Sequence, residues 1–253
     1  MTNATPHIVV ENLTMKYGDF LIQKDLTFTV NRGDIFVVMG GSGCGKSTLL
    51  KHLIGLVQPF SGRVLFGGQS FWDSTVAERE ALLRRIGILY QKGALWTSMT
   101  LAENVSMPLR QYTSHSERQI REIASYKLAL VGLSGFEGYY PSEISGGMQK
   151  RAGLARAMAL DPEVLFFDEP SAGLDPISSK LLDDLILELN RGLGATVIVV
   201  THELPSIFAI GSNSVFLDAD SRTMLATGSP RELLERSKDP RIIRFLTRGE
   251  REA

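Results

Sequence analysis

Residues 35–54 read Ile35-Phe36-Val37-Val38-Met39-Gly40-Gly41-Ser42-Gly43-Cys44-Gly45-Lys46-Ser47-Thr48-Leu49-Leu50-Lys51-His52-Leu53-Ile54. Five apolar residues in a row predict a buried strand. The run from Thr48 to Ile54 predicts a helix, closed by Gly55 and Pro59. Between them Gly40 to Ser47 fits the pattern G-x-x-x-x-G-K-[ST], in the strand-to-helix setting that gives the pattern its meaning. Glycines let successive backbone N–H groups turn inward onto phosphate oxygens, and the helix N-terminus adds a favourable dipole. Lys46 would reach the terminal phosphates as a mobile point charge, and the Ser47 hydroxyl would ligate Mg²⁺. An ordinary glycine turn capped by serine is the plain alternative; the flanking strand and helix argue against it.

Outward from this stretch, strand and helix alternate. His7–Leu13 and Leu26–Val30 read as strands before it, and Gly62–Phe66 as a short one after it. From about Gln91 to Leu160 the pattern turns helical, with Ile120, Ile123, Ala124, Leu128 and Val131 at near-helical spacing. Alternation then returns: Val164–Phe167 as strand, Ser178–Arg191 as helix, Ala195–Val200 as strand. Such alternation predicts an α/β fold, a parallel sheet with helices on its faces. After Gly228 two short helical segments are expected, Pro230–Arg236 and one ending at Leu246.

Of the 253 residues, 43% are apolar and 22% charged, a globular balance, and a formal net charge of −1 gives no basic field for nucleic acid. The single cysteine, Cys44, excludes an intramolecular disulfide and suits a reducing compartment. The opening residues lack the basic and apolar regions of a signal peptide. No stretch reaches the roughly 18 apolar residues of a membrane span. The longest candidate, Leu204 to Leu217, is short and broken by Pro205, Gly211, Ser212 and Asn213. The expectation is a soluble protein whose membrane role, if any, comes through a partner.

Two further features carry chemistry. Val164-Leu165-Phe166-Phe167-Asp168-Glu169-Pro170 places two carboxylates at the C-terminal end of a buried strand, where α/β sheets bind ligands. Side-chain alternation would give them different tasks, Asp168 in the Mg²⁺ shell and Glu169 polarising the attacking water. His202 follows the strand Ala195–Val200 and could hydrogen-bond the terminal phosphate and that water. Taken alone, a lone histidine is as often structural.

Ser145-Gly146-Gly147-Met148-Gln149-Lys150-Arg151 resembles the signature of the ABC ATPases, usually LSGGQ, with Ile144 and Met148 at its variable ends. Tyr17 looks like that family's adenine-stacking aromatic, Gln91 like its Q-loop glutamine, and Ser171-Ala172-Gly173-Leu174-Asp175 like its D-loop. With the phosphate loop and His202 these stand in family order from about Ile8 to Gly228. The resemblance implies a P-loop NTPase, an ABC ATPase core with a mixed sheet and RecA-like parallel strands, plus a helical subdomain. It divides the chain into a nucleotide-binding core with an N-terminal β subdomain (1–90 and 161–228), a signature subdomain (91–160) and a helical tail (229–253).

It also implies ATP and Mg²⁺ as cofactors. Tyr17 and the residues Gly40, Gly41, Ser42, Gly43, Cys44, Gly45, Lys46, Ser47 and Thr48 would bind the nucleotide. Ser47, Asp168 and Gln91 would serve the metal, Asp168 through water, and Lys46, Gln91, Glu169 and His202 would serve hydrolysis. Ser145, Gly146, Gly147 and Met148, with Asp175, would act on the nucleotide of a second copy, since one nucleotide has no use for two helix N-termini in one chain. A thiol inside the loop, Cys44, would be shielded from alkylation by ATP.

The stretches Lys92–Leu109, with Gly93-Ala94-Leu95-Trp96 and Glu103-Asn104-Val105, Glu143–Arg151 and His202–Ile210 are similar to the ATPases of mammalian-cell-entry (MCE) lipid transporters. That resemblance implies a homodimer on the cytoplasmic face of a bacterial inner membrane, held there by an integral permease and working with an MCE-domain protein on phospholipid or another lipid. Trp96 stands where phenylalanine is commoner and reads equally as a lobe-core or an interface residue. The chain stops soon after Thr247-Arg248, short of the extension by which the phospholipid-transport members clasp a neighbour. The ABC ATPase of another transporter, or of a cell-division complex with a scaffold or signalling role, is the alternative. Cargo, direction and permease are open at this level.

Overall fold

The computed structural model describes residues 5–249; the outermost residues of the N-terminal and tail readings lie outside them. From the N-terminus the chain forms β1 (Pro6–Tyr17), β2 (Phe20–Asn31), β3 (Ile35–Gly40) and helix α1 (Lys46–Leu53). β4 (Ser61–Phe66), β5 (Gln69–Ser70), α2 (Val76–Arg84) and β6 (Ile86–Leu89) follow. Three helices then come without strands, α3 (Leu101–Tyr112), α4 (Glu117–Leu130) and α5 (Gly146–Ala157). Alternation resumes with β7 (Val164–Asp168), α6 (Pro176–Leu193), β8 (Thr196–Val200), α7 (Leu204–Ile210), β9 (Asn213–Asp218) and β10 (Thr223–Gly228), and α8 (Pro230–Arg236) and α9 (Pro240–Leu246) close the chain.

The strands make two sheets with different physics. In the larger, ordered β10-β9-β3-β8-β7-β6, every pairing is parallel except that of the edge strand β10 with β9. Both faces are covered, so the central strands β3 (IFVVMG) and β8 (TVIVV) are buried at every position. The smaller sheet, β2-β1-β4-β5, is antiparallel and packs one apolar face inward. Ile8, Val10, Leu26 and Phe28 of that face join Phe36, Leu49, Phe166 and Ile198 in one core. The opposite face of the large sheet packs on the helical lobe, through Leu101, Val105, Ile120 and Leu154 against Leu165, Phe167 and Val197. A third cluster seats α7, α8 and α9 on Val37, Met39 and Phe216.

The strand-and-helix reading of 164–200 agrees with this architecture, and four strands are additional to the sequence reading, the two-residue β5 among them. β6 is four residues long and adjoins the charged helix α2. β9 lies inside the apolar run Leu204–Leu217, which splits at Gly211-Ser212 into helix α7 and strand β9. β10 is half-exposed along its length and shows no alternation. Among the described residues no helix is long and apolar enough to cross a membrane.

Local rules set the ends of the lobe helices. Thr100 and Glu103 form a reciprocal capping box at α3, and Ser116 with Gln119 does so at α4. The buried Asn104 amide donates to the carbonyls of Trp96, Met99 and Thr100 and accepts from Trp96 N–H at 2.8 Å. That turn leaves Trp96 on the surface, 56% exposed, which settles its reading against a lobe-core role.

The two sheets are tied at the end remote from the phosphate loop. Glu163 accepts two bonds from Arg85 (2.7 and 2.9 Å) and one from Arg32 (3.2 Å), with His7 Nε2 at 3.4 Å. The Arg85 guanidinium, seconded by Arg32, holds the Glu163 carboxyl well below its ordinary range, at about 2. A depressed carboxyl adds stability above its unfolded value and loses it as pH falls toward the folded one. Glu163→Gln should therefore lower stability at pH 7 by about 1 kcal/mol, the scale of a half-exposed ion pair. In urea titrations the gap to wild type should narrow as pH drops from about 5 toward 3; an unchanged gap would contradict the assignment.

Candidate functional site

The loop that ends β3 is held by close backbone approach on two sides. A Cβ at Gly40, whose φ is +146°, would lie 2.2 Å from the carbonyl oxygen of Leu217 in β9. One at Gly45 (φ +93°) would lie 2.7 Å from Ile22 of β2. Both conditions admit only glycine. The fully buried Gln23 of β2 donates through Nε2 to Cys44 O and to Asp218 O, each at 2.8 Å, pinning the loop to the end of β9. This clamp is not legible in the sequence, because a polar residue midway along a strand ordinarily marks a solvent-facing position.

A cavity of about 800 Å³ opens over the loop. Tyr17, Gly40, Gly41, Ser42, Gly43, Gly45, Lys46, Ser47, Thr48, Glu169 and His202 line it, and these were predicted together. Phe20, Ile22, Leu204, Phe245 and Arg248 line it as well and were not predicted. Phe20 pairs with Tyr17 across the β1–β2 turn, so a second aromatic at that hairpin was an available signal. Phe245 and Arg248 arrive on the tail, whose path over the sheet leaves no local mark in the sequence.

Cys44 belongs to the loop by its backbone alone. Its thiol is 1% exposed, packed beneath the loop, and burial pushes its pKa up. The expectation of nucleotide-protected alkylation is thereby corrected: the side chain is shielded by the core and not by the cavity's contents.

Lys46 folds back on its own loop, Nζ donating to Gly40 O at 2.9 Å and Gly41 O at 3.0 Å. Ser47 Oγ donates to Asp168 Oδ1 at 3.3 Å. A hydroxyl beside a carboxylate is a hard-oxygen pair of the kind Mg²⁺ takes together with phosphate and water. Burial raises the Asp168 carboxyl above its ordinary value, with Ser47 opposing and Glu169 adding to the shift. No group of three or more His, Cys, Asp or Glu able to hold a metal by itself occurs among the described residues. With only two protein oxygens, the Ser47–Asp168 pair fits a Mg²⁺ whose remaining ligands are phosphate and water.

Glu169 lies just past β7 with φ +48°, a left-handed backbone uncommon for a non-glycine residue. Strand alternation was the expected reason for Asp168 and Glu169 to diverge; the left-handed turn supplies it instead. Glu169 N–H donates to Val200 O at 2.8 Å. Its Oε1 meets His202 Nδ1 at 2.9 Å, while Oε2 is buried with no hydrogen-bond partner. A carboxylate that lines the cavity over the phosphate loop and keeps one oxygen unpartnered suits orienting a water and taking its proton.

Three predicted groups lie elsewhere. Gln91 is exposed, makes no side-chain hydrogen bond among the described residues and does not line the cavity. Ser145 caps α5, accepting from Met148 N–H at 3.3 Å, so Gly146 and Gly147 open a helix N-terminus that is also off the cavity. Asp175 caps α6, accepting from Ile177 and Ser178 N–H at 3.0 Å each.

A phosphate loop on a parallel sheet, with a carboxylate pair and a histidine across from it, defines a nucleotide-binding ATPase. A family model described as ABC transporter matches residues 23–172, more than half of the chain. The chain is 43% identical, over 94% of its length and 89% of theirs, to the intermembrane phospholipid transport system ATP-binding protein MlaF of Haemophilus influenzae. It is 42% identical to the probable ribonucleotide transport ATP-binding protein mkl of Mycobacterium tuberculosis, covering 94% of this chain and spanning 66% of that longer protein. Among solved structures it is similar to CbiO1 of Clostridium perfringens, part of an ABC transporter complex (TM-score 0.84, 27% identity, 96% and 97% of the two chains). It is also similar to the dimeric ATP-binding cassette MJ0796 in a post-hydrolysis state with ADP and Pi (TM-score 0.78, 29% identity, 88% and 98%). The chain belongs to the ABC transporter family, as one of its ATP-binding ATPase cassettes.

Replacing Glu169 with Gln keeps the shape of the site and removes the base. The expected outcome is ATP binding near the wild-type Kd with turnover reduced about 10²- to 10⁴-fold, measured by phosphate release. Turnover within a few-fold of wild type would remove Glu169 from the chemistry.

Proposed function

We propose that this protein is the ATP-hydrolysing motor of a bacterial lipid transporter, working as a homodimer on an integral membrane permease at the cytoplasmic face of the inner membrane. The observation that carries the chemistry is the Glu169 carboxylate in the wall of the cavity over the phosphate loop, one oxygen held by His202 and the other buried without a hydrogen-bond partner. Tyr17 would stack on the base, backbone N–H groups of Gly41 to Thr48 would cradle the phosphates, and Lys46 would exchange its two loop carbonyls for phosphate oxygens. Ser47 and Asp168 would hold Mg²⁺, which supplies neutralisation of phosphate charge. Glu169 orients a water in line with the terminal phosphorus and accepts its proton. The bond from that phosphorus to the bridging oxygen breaks, giving ADP and phosphate. Positioning and electrostatics supply most of the rate.

The off-cavity location of Ser145, Gly146 and Gly147 supports a role across a two-fold axis, each signature closing on the nucleotide of the other copy. Gln91 would join its site on that closure. Residues 91–160 then act as a lever between nucleotide and permease, against a core of residues 1–90 and 161–228. A groove of about 450 Å³ between the lobe and the sheet, lined by Leu83, Ile88, Met107 and Tyr112, is an apolar seat suited to a permease helix.

Lipid cargo is supported by the likeness to MlaF over nearly the full length of both chains, and by the exposed Trp96 turn held by Asn104. The mkl likeness points to a different cargo, but that protein is the longer one, and cargo contacts would belong to the permease and an MCE-domain partner. Glu169→Gln should retain the closed, ATP-bound assembly. Mass spectrometry of proteins co-purifying with it from detergent-solubilised native membranes should therefore find a permease and an MCE-domain protein. Recovery of a cell-division protein, or of no membrane protein, would leave the ATPase chemistry intact and refute the transport assignment.

A further inference from the structure

Lys150, in the second turn of α5, is the one signature-helix cation driven into the interior. It is 6% exposed, and no acidic side chain pairs with it among the described residues. Its ammonium donates instead to two backbone carbonyls, Pro170 O at 2.5 Å and Ala172 O at 2.6 Å. These belong to the residues one and three places past Glu169, so a single side chain spans from the signature helix to the turn that carries the carboxylate.

That turn is otherwise loosely determined. Glu169 holds a left-handed conformation, and its carbonyl accepts only from Ala172 N–H at 3.2 Å among backbone donors. The Ser171 hydroxyl, between the two bonded carbonyls, is buried without a partner. A strained residue keeps its conformation only where its surroundings over-determine it. Here Lys150 supplies two of the few bonds doing so. Burial depresses the Lys150 pKa while the nearby negative charge of Glu169 opposes the shift, so the two charges lie within electrostatic reach. Gly147, three residues earlier on α5, would bring a Cβ within 3.5 Å of Ser178, at the foot of α6. The N-terminus of the signature helix and the segment 169–178 therefore meet as one joint.

We propose that Lys150 is a positioning residue for hydrolysis: it ties the helix that closes on one nucleotide to the turn that aims Glu169 at the other. Engagement of the signature by a partner's ATP pulls on the Pro170 and Ala172 carbonyls through Lys150 and sets the carboxylate of the same subunit. The two sites of the dimer thereby fire in concert. This inference rests on the reading of Glu169 as the hydrolytic carboxylate and of the signature as acting in trans.

The test compares Lys150→Met, which keeps the length of the side chain without donors, with Lys150→Arg, which keeps the donors. Glu169→Gln is run alongside. Thermal melts establish folding, and kcat, KM for ATP and the Hill coefficient are the readouts. The expected result for folded Lys150→Met is a kcat lowered about ten- to a hundredfold, the scale of a misaimed catalytic group. KM should stay within about twofold and the Hill coefficient fall toward one. Lys150→Arg should restore most of the lost kcat. Should Lys150→Met fail to fold, Lys150→Leu, likewise without donors, takes its place under the same criteria. Unchanged kcat in the donor-free variant, with Glu169→Gln inactive, would overturn the role of Lys150 alone. Loss of kcat not rescued by Lys150→Arg would also overturn it. Normal turnover by Glu169→Gln would instead overturn the reading on which it rests.

Discussion

The close packing of one loop between two strands governs this molecule. Gly40 leaves no room for a Cβ against Leu217, Gly45 leaves little against Ile22, and Gln23 clamps Cys44 and Asp218 with a single amide. A phosphate loop must present its N–H groups in one fixed array, and an array built of glycines has no stiffness of its own. The stiffness comes from outside, from β2 on one side and β9 on the other. That is why the antiparallel N-terminal sheet exists where it does: its apolar face packs on α1 and the central strands, and its Ile22 and Gln23 fix the loop from above. Binding geometry is set in the core before any ligand arrives.

Strain and incomplete bonding are concentrated on the facing side of the cavity. Glu169 has a left-handed backbone, a buried oxygen without a donor, and a neighbour, Ser171, whose hydroxyl is likewise unpartnered. A fully satisfied site would be more stable and less able to take up a water and its proton. The segment is anchored from the helical lobe through Lys150 and from the sheet through Val200, so its geometry depends on how lobe and core sit against each other. The lobe in turn carries the apolar groove beside Met107 and Tyr112. On the proposed function, a path from permease to carboxylate would run through packed elements, with bonded joints at its catalytic end.

Much of this was legible in the residues. The strand-loop-helix at 35–54 and the buried strand ending at Asp168-Glu169 are local signals, because burial on both faces makes a strand apolar throughout and because glycine spacing is imposed by backbone contact. What the residues hide is non-local. β9 vanished into the run Leu204–Leu217, where a helix and a strand of the same apolarity follow one another. Gln23 looks like a surface residue until β9 is laid beside the loop. Phe245 and Arg248 reach the cavity only because α9 folds back over Phe216. The Cys44 thiol was misjudged for a related reason: position in a loop says which backbone is near a ligand, not which way a side chain turns.

The account stands on a site completed by a second copy, and the direct measurement is the mass of the Glu169→Gln protein by analytical ultracentrifugation, with and without MgATP. The expected result is a monomer without nucleotide and a dimer with it, the dimer being lost on adding Ser145→Arg while bound ATP per chain is retained. A monomer at saturating MgATP, or a dimer indifferent to Ser145→Arg, would contradict it.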